Sequence, residues 1–318
     1  MHKLERYAVT GAFGFTGKYI AARLLAQGHP VLNITDSPRR PNPFGSRMET
    51  SSFYFDEPGK LVCALRGVSV LYNTYWVRFN SCATTHEDAV RHTQTLFLAA
   101  QAAGVRRIVH LSITHADEAS SSSYFRQKAR LERMLAELGI SYAILRPACI
   151  FGEEDILINN IAWTLRRLPL FGLFGKGDYT LQPIYVDDLA QLAIEQGAVI
   201  ENRRVDAIGP EMFTYCALVR LIGQSIGCPR PMVHVPPAMG YAVTRLLGWM
   251  LRDRMMTWDE LKNMMSNQLS VEGVTPTGTT RLSTWIPAHA NQLGQRYASE
   301  LARRRDRSRD YRITAREP

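Results

Sequence analysis

The feature that most constrains this chain is a turn. A short apolar run, Tyr7-Ala8-Val9, leads into Thr10-Gly11-Ala12-Phe13-Gly14-Phe15-Thr16-Gly17, and a helical pattern follows from Lys18 to Ala26, ended by Gly28. Three glycines at that spacing between a buried strand and a helix have separable uses. Gly11 permits the tight turn, Gly14 lets backbone approach a pyrophosphate, and Gly17 lets the helix pack closely on the strand. The helix start then offers free N–H groups and a partial positive charge to phosphates. A purely structural glycine-rich turn is the competing reading.

The rest of the N-terminal half repeats the alternation. Strands are expected at Val31–Ile34, Phe53–Phe55, Val68–Tyr72, Arg107–Leu111 and Tyr142–Leu145, the last stopped by Pro147. Helices are expected at Lys60–Leu65, Glu87–Ala103 and Tyr124–Leu138, two of them closed by Gly104 and Gly139. Short apolar strands alternating with helices indicate a doubly wound, Rossmann-type parallel sheet with helices on both faces. After about Phe151 the rhythm weakens, and segments rich in Met, Trp and Pro suggest a smaller, mostly helical substrate region. The expected organisation is a dinucleotide-binding domain over 1–150, a substrate region over 151–302 interleaved with the last elements of the sheet, and an arginine-rich, flexible tail over 303–318.

Two positions bear on the ligand of such a fold. Asp36 lies at or just past the end of the second strand, where an acid binds ribose hydroxyls and an arginine accepts a 2′-phosphate. Arg39 and Arg40 follow closely, so NAD and NADP both stay open, with Asp36 tipping the reading towards NAD. Asp36 could instead start a turn before Pro38. The second position is Tyr124-Phe125-Arg126-Gln127-Lys128, which opens a helix after the fifth strand. Residues i and i+4 share a helix face, and an ammonium beside a phenol of pKa about 10 stabilises the phenolate. Ser112 and Thr114, just past that strand, are the candidate hydroxyls for polarising a carbonyl. A surface Tyr with a solvated Lys is the bland alternative.

These pieces resemble the extended and atypical short-chain dehydrogenase/reductases, which include NAD-dependent epimerase/dehydratases and NmrA-like proteins. The subgroup with the accessory dehydrogenase-like subunit of respiratory complex I is especially similar. TGAFGFTG, AAGVRRIVHLSI, SYFRQKARLERML, YAILRPACIFG and LQPIYVDDLA carry the likeness over roughly Arg6 to Leu192, and MTWDELKNMMSNQLSVEG looks like the C-terminal part. The resemblance implies a cofactor held by Gly11, Phe13, Gly14, Phe15, Thr16, Gly17, Asp36, Arg39, Asn73, Thr74, Lys128 and Pro147. It also implies Tyr124, Lys128 and Ser112 or Thr114 as the catalytic group, acting by hydride transfer at a carbinol or carbonyl carbon. The chain departs from the pattern in three places. Ile113 stands where the catalytic hydroxyl is usual, Tyr54 where an acid near the adenine is usual, and the fourth strand ends in Tyr72-Asn73-Thr74-Tyr75-Trp76 rather than in small residues. A non-catalytic cofactor-binding sensor, assembly factor or complex subunit therefore stays open beside an oxidoreductase or epimerase-like enzyme.

Composition narrows the remaining classes. The net charge is +9, of which the stretch from Leu301 to Pro318 supplies seven arginines against three acids. The modest remaining excess suits an anionic dinucleotide and does not demand nucleic acid. Eight scattered histidines and the pair Asp187-Asp188 give no metal-ligand spacing, so no metal is expected, and the two acids read as the start of a helix. The five cysteines, Cys63, Cys82, Cys149, Cys216 and Cys228, form no C-x-x-C pair and read as free thiols in a reducing, cytoplasmic setting, with Cys149 a small buried hydrophobe. MHKLERYAV reads as running straight into a strand without a leader. The apolar stretch Ala238–Leu251 is broken by Arg245 and falls short of a span. Trp249, Met250, Met255, Met256 and Trp258 are expected in the core, with an apolar pocket or a membrane surface as the alternatives. The partners expected are a dinucleotide, an unidentified small-molecule substrate, peripheral membrane contact through the basic tail, and a second copy of the chain.

Overall fold

A computed structural model describes residues 5–81 and 84–305. The chain divides into two compact units, one of 1–147 with 186–207 and the other of 148–185 with 208–318.

The first unit is built on seven strands: β1 (Arg6–Thr10), β2 (Val31–Ile34), β3 (Met48–Ser51), β4 (Val68–Asn73), β5 (Arg107–Leu111), β6 (Ser141–Pro147) and β11 (Arg203–Ala207). Every pairing is parallel and the order is β11-β6-β5-β4-β1-β2-β3. The chain winds outwards from β1 in both directions. The order therefore reverses between β1 and β4, and a crevice opens there at the carboxyl ends of the strands. Helices α2 (Pro58–Leu65), α3 (His86–Ala102) and α4 (Ser123–Glu137) pack in succession, while α1 (Phe15–Ala26) pairs with α6 (Val186–Ala198). A core of Leu32, Leu61, Leu71, Phe97, Ile108 and Leu131 fills the layer beneath α2, α3 and α4. Asp187 opens α6 as expected, and its carboxylate grips Arg23 of α1 through bonds of 2.6 and 2.8 Å.

Most expected elements fall where the apolar pattern puts them, with Val31–Ile34 and Arg107–Leu111 found at the same bounds. The third strand does not. It is Met48–Ser51 rather than Phe53–Phe55. An edge strand buries little, and here only Met48 is fully covered while Glu49 and Thr50 face water, so its sequence carries no apolar run. The aromatics after it join a ring cluster described below. Helix α1 also begins earlier than its apolar pattern, at Phe15, which puts Phe15, Thr16 and Gly17 in its first turn.

The second unit combines short strand pairs with helices. Parallel pairs join β7 (Cys149–Phe151) to β10 (Pro183–Tyr185) and β8 (Phe171–Phe174) to β13 (Met232–Val235), and an antiparallel pair joins β9 (Thr180–Leu181) to β12 (Phe213–Thr214). Helices α5 (Leu157–Arg167), α7 (Tyr215–Ser225), α8 (Pro237–Met250), α9 (Trp258–Met265) and α10 (Leu282–His289) surround a core of Phe151, Ile161, Leu173, Leu218, Ile222 and Ile286. Met256, Trp258 and Cys149 pack against that core, whereas Trp249 and Met250 are exposed, against the expectation for them. Burial pushes the Cys149 thiol up. A final helix, α11 (Glu300–Arg305), takes in the start of the expected tail, and its remainder from 306 lies outside the described residues, as does Cys82.

Arg107 shows how the first unit is closed. Its side chain is fully buried at the start of β5 and donates to the carbonyls of Gln196, Ile200 and Glu201 and to Ser141 Oγ. The three carbonyls are acceptors at and after the end of α6. Arg107→Met keeps most of the volume but strands them, and should lower unfolding free energy by about 2–4 kcal/mol, read as a fall in urea midpoint at unchanged slope.

Candidate functional site

Gly11 takes a φ of +64° and donates its N–H to Ile34 O at 2.8 Å, which turns the chain out of β1 beside β2. Gly17 has no room for a side chain: a Cβ there would lie 2.4 Å from Gly11 O. One at Gly14 would lie 3.1 Å from the same oxygen. The helix therefore sits directly on its own turn. Ala12 N–H donates to Asn33 Oδ1 at 2.8 Å, so a buried asparagine on β2 pins the middle of the loop. Helices α3 and α9 close their first turns with capping boxes, whereas α1, like α2, α4, α5, α8 and α10, has neither a side-chain cap nor an acid there. Its leading N–H groups are left for an anion. Phe13 is buried, and Phe15 and Thr16 are half-buried on α1.

Across the crevice the end of β4 is held by a polar ladder. Thr10 Oγ1 accepts from Thr74 N–H at 2.7 Å and Tyr75 N–H at 3.0 Å, and donates to Asn73 Oδ1 at 3.1 Å. Asn73 Oδ1 also accepts from Tyr75 N–H, which fixes the amide orientation and leaves Nδ2 to donate to His110 Nδ1 at 3.0 Å. Thr74 Oγ1 donates to Thr10 O at 2.6 Å. Burial, with Lys128 nearby, pulls the His110 pKa far below its usual value, so the ring is neutral and carries its proton on Nε2. Asn73 and Thr74 thus use their side chains within the protein.

Lys128 is fully buried on α4. Its Nζ donates to Leu111 O at 2.7 Å and lies 4.5 Å from the centre of the Trp76 ring. Tyr124, one turn earlier and half-buried, meets Trp76 edge-on at 5.8 Å and His86 at 5.6 Å. The expected Tyr–Lys pair therefore shares a site through the indole of Trp76. One residue past Leu111, Ser112 Oγ is buried with no hydrogen-bond partner among the described residues. Ser112 N–H donates to Leu145 O and Thr114 N–H to Pro147 O, so both candidate hydroxyls lie beside the end of β6, with Ile113 buried between them. Burial lowers the Lys128 pKa to about 7, with Glu132 one turn on pulling the other way. Glu132 is itself clasped by Arg146 at 2.5 Å.

At the far side of the loop, Asp36 and Arg39 are exposed past the end of β2. The turn there is closed by Thr35, whose Oγ1 accepts from Ser37 N–H at 3.1 Å. Phe53, Phe55, Tyr75 and His92 form a ring cluster, with Phe55 stacked on His92 at 4.2 Å and Tyr75 Oη 2.8 Å from His92 Nδ1. Sequence reading missed Asn33, His110, Trp76 and this cluster. The one available signal was the run Tyr72–Trp76, which stood out against the family pattern.

This strand order and glycine turn are those of a Rossmann-type α/β fold. Residues 11–159 match the family model described as NAD(P)H-binding. Among curated proteins, the chain is similar to the mitochondrial NADH dehydrogenase (ubiquinone) 1 alpha subcomplex subunit 9 of Arabidopsis thaliana. It is 26% identical over 225 residues, covering 67% of this chain and 56% of that protein. It is also similar to the mitochondrial NADH-ubiquinone oxidoreductase 40 kDa subunit of Neurospora crassa, at 26% identity over 270 residues, covering 82% and 71%. The chain thus spans little more than half the length of the Arabidopsis relative. Among solved structures, an Escherichia coli NADPH-dependent quinone oxidoreductase complexed with NADPH shares the fold. It has a TM-score of 0.70 and 22% identity, covering 89% of this chain and 99% of that one.

A lysine whose pKa falls on folding holds its proton less tightly in the folded chain than in the unfolded one. From about 7 up to the ordinary lysine value the unfolded chain therefore binds more protons, and stability rises with pH across that window. Comparing the parent with Lys128→Met by urea unfolding from pH 7.5 to 9.5 should show the parent gaining on the variant. The expected gain is on the order of 1 kcal/mol per pH unit.

Proposed function

We propose that the first unit holds NAD(P)H at the crevice between β1 and β4, and that the chain is an oxidoreductase or epimerase-like enzyme acting at a carbinol or carbonyl carbon. The phosphates lie on the turn from Gly11 to Gly17, against the uncapped start of α1. Asp36 and Arg39 select the adenosine ribose, and the rings around Tyr75 wall the adenine end. Asn73 and Thr74 contribute backbone at the end of β4, and Pro147 backs the nicotinamide side. A bound nicotinamide supplies or accepts the hydride. Tyr124 gives its phenolic proton to the carbonyl oxygen in reduction and takes it back in oxidation. Lys128, with a pKa near neutrality, holds the ribose in its charged form and favours the phenolate.

The observation that carries this reading is the Ser112 hydroxyl. A buried donor without a partner costs free energy unless a ligand completes it, and it lies one residue from the carbonyl that holds Lys128. Thr114 is the second hydroxyl of the same segment. Tyr124→Phe should lower kcat by about 10²-fold or more while leaving NADH and NADPH affinity within about twofold, measured by fluorescence titration and turnover against a panel of aldehydes, ketones and quinones.

Two observations favour a second reading. Trp76 covers the ammonium that a ribose would need, and two sequence relatives are named as subunits of NADH dehydrogenase. The chain would then keep the cofactor as part of a larger assembly. Retained cofactor with no turnover across the panel selects this reading over the enzymatic one.

Cofactor choice follows from the loop after β2. Titrating NADH and NADPH into the parent and Asp36→Ala should show a modest parental preference for NADH that shrinks or reverses in the variant. A strong parental preference for NADPH gives the selecting role to Arg39.

A further inference from the structure

Helix α8 is packed inside out. Its buried positions are glycines: a Cβ on Gly240 would lie 2.5 Å from the Phe174 ring, and one on Gly248 would lie 2.7 Å from Asp253 O. The first approach sets the helix on β8, and the second folds the chain after the helix back against it. Tyr241 packs against the core of its unit, and five other large apolar residues of the helix point out. Met239, Val243, Leu246 and Met250 follow one another at spacings of four, three and four, so they share a face, with Trp249 at its margin. Exposure reaches 59% for Leu246, 67% for Met250 and 78% for Trp249. Five of the twelve large apolar side chains exposed among the described residues sit on this one helix. Such clustering marks a binding surface rather than scattered surface residues.

The charges around the face say what covers it. Arg245 borders it, and Arg252 and Arg254 follow its C-terminal end, all exposed. The lone acid from 237 to 258 is Asp253, and its carboxylate is engaged by Tyr297 Oη at 2.9 Å and Leu301 N–H at 3.0 Å. That second bond brings the start of α11 to the end of α8. The helix has 14 residues, about 21 Å at 1.5 Å per residue, and no described helix is long and apolar enough to cross a membrane. An apolar face with tryptophan at its margin and arginines around it suits a helix lying in the plane of a bilayer interface.

We propose that α8 and the arginines beside it are a docking surface for an anionic lipid bilayer, on which the protein sits peripherally. The apolar stripe enters the headgroup–acyl boundary, and the arginines meet the lipid phosphates and carboxylates. The proposal is independent of turnover at the cofactor site.

The test is flotation of the full chain with vesicles of phosphatidylcholine alone or with about one part in three of phosphatidylserine. Binding to the anionic vesicles, weakened by salt, is expected, with little to the neutral ones. Leu246→Gln with Trp249→Ser should reduce binding at least about tenfold. Both positions face solvent, so an unchanged circular dichroism spectrum and urea midpoint report that the variant is folded. Arg245→Glu with Arg252→Glu should abolish the preference for anionic lipid. Absence of flotation, equal flotation of the apolar double variant, or equal binding to neutral vesicles overturns the proposal. A parent that does not float but sediments as a dimer, made monomeric by Leu246→Gln with Trp249→Ser, also overturns it and assigns the face to a second copy of the chain.

Discussion

The hydroxyl of Thr10 is the tie on which the ligand edge of the sheet depends. It accepts two backbone N–H groups from the end of β4 and donates to the Asn73 amide, so the carboxyl ends of β1 and β4 cannot part without leaving several buried polar groups unmet. The glycine turn leaves from one of these strands and Tyr75 and Trp76 leave from the other. The width of the crevice and the placement of the indole over Lys128 are therefore set by one side chain at the switch point. His110 extends the same ladder to β5 as a neutral ring, which keeps a second positive charge away from the buried ammonium.

Much of this frame could be read from residue order. The strands Val31–Ile34 and Arg107–Leu111 announce themselves as buried apolar runs, and the turn between β1 and α1 is recognisable because glycine is demanded at Gly11 by φ and at Gly17 by the carbonyl beneath it. Met48–Ser51 was illegible because an edge strand buries one residue and shows polar ones to water. Tyr124, Lys128 and Ser112 could be named from spacing and chain order. Asn33, His110 and Trp76 could not, since each acquires its role from a partner between 21 and 52 residues away in sequence. Trp249 and Met250 misled for a related reason. A tryptophan and a methionine in an apolar stretch suggest core, and only the packing of Gly240 and Gly248 reveals which side of the helix is inward.

The lysine at the site combines features that pull against one another. Desolvation favours the amine, while Glu132 and the face of Trp76 favour the ammonium. The balance near neutrality makes its charge responsive to whatever is bound beside it. Glu132 would hold it charged more firmly were that carboxylate not already engaged by Arg146.

The interrupted course of the first unit bears on how the chain can be built and cut. Its sheet is left at Pro147 and resumed only at Val186, and Arg107 waits at β5 for carbonyls from residues 196 to 201. During synthesis the N-terminal 147 residues present β6 as an unpaired edge and α1 without its neighbour α6 until some 60 further residues have emerged. The dinucleotide fold of this protein is thus not a separable module. A fragment ended where the sequence motif ends would carry a raw strand edge and a buried guanidinium with most of its acceptors missing.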